Sequence, residues 1–300
     1  MKKQSNFLAY IFLLLTVTFW AGNFVVGKLA SFYQVPPFSL NFYRWFFAWL
    51  ILAPFTIPEI IKKKDYIISI YKLFIVLGVT SITIFNSIVY YSLNFTQVIS
   101  GVLMISTIPV MIMFFSSILK IEKTNIFQVI GVILSFLGVI IIITKANFEI
   151  LKNLNFNKGD ITMVIAMLSW ALYSTLLKKQ KYEISQLSLL QVVMSFGLIF
   201  LIPIYFIEYQ LGFRITLEKP FVLILSYVVL LPGLASFILW IKGISIIGAN
   251  RSGVFLHLMP IMSAIMAMII FNEKFMFYHM LGACFIIIGI LLSNKKALNA

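Results

Sequence analysis

Apolar residues fill this chain in continuous runs, each close to the ~20 residues an α-helix needs to cross a bilayer. Ten runs can be drawn, at 7–27, 37–57, 70–91, 97–119, 126–144, 160–177, 187–207, 221–241, 251–271 and 279–294, with short polar clusters between them. An outer-membrane barrel would instead show alternating segments of about ten residues. Backbone groups in hydrocarbon must be satisfied internally, so each run predicts a transmembrane helix. The first run follows Lys2-Lys3, as a secretory signal would. It is long, contains Trp20 and lacks a small-x-small cleavage site, so it reads as a retained helix.

The runs repeat. Trp20-Ala21 and Lys28 recur as Trp170-Ala171 and Lys178, at an offset of 150 residues. Ser39-Leu40 and Pro54 recur as Ser188-Leu189 and Pro203, at an offset of 149. Pro109, Glu122-Lys123, Gly131 and Gly138 recur as Pro260, Glu273-Lys274, Gly282 and Gly289, at 151. Such matches among Pro, Glu and Gly do not arise from a shared abundance of Ile and Leu. They predict one repeat over 7–144, a connecting loop over 145–159 and a second repeat over 160–294. Five helices per repeat is an odd number, so the second copy enters the membrane from the opposite face. The expected fold is an all-α membrane protein of ten helices in two inverted repeats. Transporters recur in this architecture, with substrate held near the midplane between the halves.

Composition agrees. Of 300 residues, 62% are hydrophobic and 11% are charged, against roughly 25% charged in a soluble domain. A soluble fold and a disordered chain are both excluded. Ten helices take about 200 residues, which leaves no room for a soluble catalytic domain. The net charge of +14 would suggest nucleic acid in a soluble protein. Here the basic residues lie mainly between the runs, so no nucleic-acid partner is expected. With an inside N-terminus, fifteen Lys and Arg fall inside, seven fall outside, and Arg44 falls within a span. The positive-inside rule then puts both termini in the cytoplasm. Lysine outnumbers arginine 20 to 3, which suits an AT-rich bacterial genome and a bacterial cytoplasmic membrane. The single cysteine, Cys284, allows no intrachain disulfide and no Cys/His metal spacing. No cofactor and no metal are expected.

The motifs in these positions resemble a known family. Phe19-Trp20-Ala21-Gly22-Asn23-Phe24 in the first span, and Tyr43-Arg44-Trp45 in the second, resemble the opening of an EamA domain. The run from Pro109 to Glu122, then Gly131 and Gly138, resembles its end, and Pro260, Glu273, Gly282 and Gly289 repeat it. The chain thus resembles the EamA branch of the drug/metabolite transporter superfamily over nearly its whole length. That resemblance implies a ten-helix permease moving small metabolites, often outwards. The second copy departs from the pattern. Val193 or Met194 stands where Arg44 would recur, and Leu172-Tyr173-Ser174 replaces Gly22-Asn23-Phe24.

Arg44 is the sharpest candidate for chemistry. It sits seven residues into its run, about 10 Å from the helix end. A charge in the membrane costs at least ~2.5–3.5 kcal/mol, so it faces a cavity or a partner. One reading has it lining the pathway and binding an anionic group; the other has it snorkelling or bonding loop carbonyls. Trp20 and Asn23 share a helix face. Asn86 and Tyr90 lie on a polar stripe of the third span, Tyr173 in the sixth and Trp240 in the eighth. Interhelical hydrogen bonding explains such stripes, and so does a lined pathway. His257 could relay a proton or bond a carbonyl freed by Pro260. Pro109 and Pro260 are expected as kinks or hinges.

The expected function is a permease for a small organic metabolite working by alternating access. An amino acid or related zwitterion is the first reading, moved by efflux or exchange. A proton-coupled exporter of drugs, organic acids or nucleosides is the alternative. An intramembrane enzyme would need a nucleophile–base pair, paired acids or a metal cluster, and none is visible. The expected partners are a small-molecule substrate and the lipid bilayer, with monomer and homodimer both open.

Overall fold

The computed structural model describes residues 2–96, 98–147, 149–152, 157–271 and 274–295. Residue 97 of the fourth run, Glu273 of the repeat pattern, Lys296 of the charge tally and residues 148 and 153–156 of the connector lie outside the described residues. The helices are α1 (Lys2–Phe32), α2 (Pro37–Lys62), α3 (Lys64–Ser69), α4 (Tyr71–Gly78), α5 (Asn86–Ser92), α6 (Val98–Ile105), α7 (Ile108–Ile118) and α8 (Ile126–Ile143). They continue as α9 (Glu149–Lys152), α10 (Lys158–Leu176), α11 (Gln186–Gln210), α12 (Lys219–Val228), α13 (Ser236–Ile247), α14 (Ala249–Gly253), α15 (Met259–Phe271) and α16 (Phe277–Ser293). There is no strand among the described residues.

Among the described residues, eight helical stretches are long and apolar enough to cross a membrane, and α16 is a shorter apolar helix. The run expected at 251–271 is not one regular helix. A short α14 passes into a 3₁₀ segment at Val254–Leu258 before α15 begins at Met259. Pro260, with no N–H to donate, sits in the first turn of α15, where that loss is tolerated. Pro109 likewise stands at the start of α7, after a break at Ser106–Thr107. Both prolines therefore mark interruptions between helical pieces.

Helix ends follow the sequence. Asn125 and Gln128 form a reciprocal capping box at the start of α8, and Asn157 and Asp160 form one at the start of α10. The chain between α4 and α5 is a π-helix, Val79–Phe85, and the chain between α12 and α13 is another, Val229–Ala235. The two segments lie 150 residues apart, at the offset of the sequence repeat.

Packing pairs the same positions. Helices α8 and α16 run antiparallel at glycine contact. A Cβ on Gly131 would lie 2.5 Å from the carbonyl oxygen of Gly289, and one on Gly138 would lie 2.5 Å from that of Gly282. The small residues at these places are needed for the close approach of two backbones. Elsewhere, α2 packs along α11 and α1 along α13. Trp20, Trp45, Trp170, Tyr173, Phe237 and Trp240 gather between them as a buried aromatic core.

Candidate functional site

Arg44 is fully buried on α2. Its Nη1 donates to Asn86 Oδ1 and to the Tyr90 hydroxyl, each at 2.8 Å, and its Nη2 donates to the Pro232 carbonyl at 2.9 Å. The guanidinium also lies 4.8 Å from the centre of the Trp45 ring. All of these partners are neutral. Its Nε has no hydrogen-bond partner among the described residues. A buried cation held only by neutral acceptors carries a desolvation cost that a nearby anion would offset.

The network continues. The Tyr90 hydroxyl donates to Asn23 Oδ1 at 3.0 Å, and Asn86 Nδ2 donates to the Ser81 carbonyl at 2.7 Å. Trp20 Nε1 donates to the same Pro232 carbonyl that receives Arg44, at 3.0 Å. Ser81 and Pro232 both belong to the π-helices. An i→i+5 ladder is off register with the α-helices around it, so carbonyls at such a bulge are available to side chains. Arg44 and Trp20 are thus tied by one backbone group of the second half of the chain.

These side chains border a small cavity lined by Trp20, Asn23, Phe24, Arg44, Phe85, Asn86, Val89, Ile105, Ile108, Trp170, Leu256 and Met259. Its volume is ≈ 20 Å³, room for about one water molecule. Four of the residues singled out from sequence line it: Arg44, Trp20, Asn23 and Asn86. Tyr90 bonds two of them from behind.

The other candidates lie elsewhere. Tyr173 is buried against Trp170, with a hydroxyl that lacks a partner among the described residues. Trp240 packs on Trp20 and donates to Ser174 Oγ at 3.3 Å. Neither lines the cavity. His257, in the 3₁₀ segment, has Nε2 2.8 Å from the Ser106 carbonyl and Nδ1 against Ser135 Oγ. A carbonyl only accepts, so Nε2 carries the hydrogen and Nδ1 accepts from the serine. Both ring nitrogens are therefore engaged in interhelical bonds. Sequence reasoning passed over Trp170 as a lining residue, although it is the offset-150 copy of Trp20. It also passed over Phe85 and the Pro232 carbonyl.

A larger cavity, ≈ 610 Å³ and partly open, lies at the start of α2. Pro37 and Phe38 of α2, Tyr91 of α5, Phe95 beyond its end, and Ile204 and Glu208 of α11 are among its walls.

The chain matches the model of the EamA-like transporter family over residues 7–144 and again over 157–295. It is similar to an uncharacterized transporter of Archaeoglobus fulgidus, 26% identical over 97% of this chain and 99% of the other. It is also similar to the uncharacterized transporters YyaM and YetK of Bacillus subtilis. YyaM is 24% identical over 95% of this chain and 93% of its own length. YetK is 26% identical over 98% and 88%. A solved structure titled only as a crystal structure of a protein superposes with a TM-score of 0.72. It covers 97% of this chain and 96% of its own, at 14% identity, and so shares the fold.

Proposed function

The chain belongs to the EamA-like transporter family, within the drug/metabolite transporter superfamily, and from that premise we propose that it carries a small organic metabolite by alternating access. It is a multi-pass membrane transporter. On this reading ten helices form two inverted five-helix repeats, 7–144 and 160–294, joined by the 145–159 connector. Both termini are cytoplasmic and the membrane is a bacterial cytoplasmic one. The crossed glycine contacts support the inversion: Gly131 meets Gly289, the repeat copy of Gly138, while Gly138 meets Gly282, the copy of Gly131. Two repeats of unequal conformation can exchange their shapes, which turns an inward opening into an outward one.

The observation that carries the substrate reading is the charge of Arg44, wholly buried among neutral partners beside a small cavity. A solute carboxylate supplies the missing counter-charge through charge-assisted hydrogen bonds. Trp20 and Trp170 offer an apolar wall to the rest of the solute. An amino acid or related zwitterion fits that pair of features, moved by efflux or exchange. The engagement of both His257 nitrogens supports exchange or facilitated efflux over proton antiport through that residue.

Metabolite profiles of cells and medium, with and without expression, identify candidates for flux assays in proteoliposomes. Counterflow of an amino acid that is lost in Arg44→Gln, at normal expression, is the expected result. Flux confined to solutes without a carboxylate would overturn the substrate class. Uptake driven by a proton gradient alone would overturn the exchange reading.

A further inference from the structure

Two glutamates of the spans do not touch the site described above, yet they hold one arrangement twice. Glu208, near the end of α11, is buried and accepts from the N–H of Phe38 at 3.2 Å, the N–H of Ser39 at 2.6 Å and Ser39 Oγ at 2.7 Å. Those donors are the first turn of α2. Glu59, near the end of α2, accepts from the N–H of Ser185 at 2.8 Å and from the hydroxyls of Ser185 and Ser188. Those donors open α11. Glu59 and Glu208 are 149 residues apart, as are Ser39 and Ser188. Each carboxylate sits near the C-terminus of its own helix, where the macrodipole disfavours a negative charge, and lends that charge to the N-terminus of the other. Neither first turn carries an acidic residue of its own.

We infer that these are paired gate latches: Glu208 holds one face of the transporter shut, and Glu59 holds the opposite face. Twenty residues separate Ser39 from Glu59 along α2, and twenty separate Ser188 from Glu208 along α11. At 1.5 Å per residue the two latches stand about 30 Å apart, one at each membrane surface. The ≈ 610 Å³ cavity ties Glu208 to opening. Its walls are the start of α2 and the end of α11, the two segments that this latch pins together. Releasing the latch parts those walls and deepens the cavity along α2 toward Arg44, about 10 Å below Pro37. Both latches are closed here, in keeping with a site that holds only about one water. Alternating access then amounts to releasing one latch while the other stays made. A charge-assisted bond in each supplies the energy difference between the closed and open form of its face.

The inference rests on the alternating-access reading, and the test separates the two. In a Cys284→Ser background the sole thiol is a reporter placed just below one latch: Leu40→Cys under Glu208, or Leu189→Cys under Glu59. Both leucines are buried, and they are repeat copies of one another. Labelling by a membrane-impermeant maleimide is timed in vesicles, applied to each face in turn. Glu208→Gln is expected to raise the Leu40→Cys rate about tenfold and to lower that of Leu189→Cys, and Glu59→Gln to do the reverse. Ser39→Ala and Ser188→Ala act in the same directions by smaller factors, which guards against a glutamine variant that folds poorly. Rates that shift together at both reporters, or at neither, overturn the latches while leaving alternating access standing. Rapid labelling of both reporters at once, with the native glutamates in place, overturns alternating access itself.

Discussion

Trp20 and Trp170 meet edge to face, with ring centroids 5.1 Å apart and planes at 88°. They are the same residue of the two repeats, and residues exchanged by a two-fold axis can touch only close to that axis. The contact therefore marks the proposed axis, and the cavity beside Arg44 is lined by both rings.

Replacing Trp20 tests that centre. Trp20→Ala removes a buried indole and is expected to cost about 3–5 kcal/mol. Trp20→Phe keeps most ring contacts and loses only the bond to the Pro232 carbonyl, which Arg44 still supplies. About 0.5–1.5 kcal/mol is expected there. Thermal unfolding of the two variants in detergent should separate them by several degrees.

Arg44 predicts a change in binding beyond any change in stability. Arg44→Lys keeps the charge but cannot span Asn86, Tyr90 and the Pro232 carbonyl together. A charge-assisted bond is worth about 1.5–3 kcal/mol, so apparent affinity for an anionic solute should weaken at least about tenfold. Concentration dependence of flux in proteoliposomes is the measurement.

Glycine contact between α8 and α16 predicts a stability loss. Gly138→Ala puts a methyl 2.5 Å from the Gly282 carbonyl, against backbone that cannot swing away. A loss of about 1–3 kcal/mol is expected, read as a lower melting temperature.

Gly248 and Gly212 separate strain from clash. Both have positive φ, 90° and 92°. A Cβ on Gly212 meets nothing within 4 Å, whereas one on Gly248 falls on the Glu122 carboxylate. Gly212→Ala should cost only the backbone term, about 1 kcal/mol. Gly248→Ala should cost clearly more in the same melting assay.

Glu122, in the turn between α7 and α8, predicts a pH trend. Burial holds its carboxyl above the usual carboxylate range, and the N–H groups of Asn250 and Ala249, with Lys178 and Arg251, partly oppose that. The folded chain therefore binds this proton more tightly than the unfolded chain does. The resulting stability is full below about pH 4.3 and is lost as pH rises through the raised value. Glu122→Gln should flatten that slope in unfolding measured from pH 4 to 7.

Much of this was readable in the residues. Continuous apolar runs locate eight of the spans, because hydrocarbon leaves helices as the only open-ended solution. Arg44, Asn23, Asn86 and Trp20 stand out because polar groups are rare in apolar runs, and they line one cavity. Pro232 was not readable as a partner. It acts through a carbonyl that only the π-helix makes available, and side-chain identity carries no sign of that. Glu208 escaped for another reason. The apolar run ends at 207, but α11 continues to Gln210 and draws the glutamate into a buried place. The ninth run misleads similarly, since hydropathy does not register the 3₁₀ segment that interrupts it.

The one-water cavity has an electrical consequence. A carrier embedded in an energised membrane must not short-circuit it between cycles. With Trp20, Trp170 and Phe85 packed around so small a space, the cavity beside Arg44 has room for about one water. The fixed positive charge there further repels protons and metal ions. The packed rings and the buried charge together raise the barrier that an ion would meet beside Arg44 in this form.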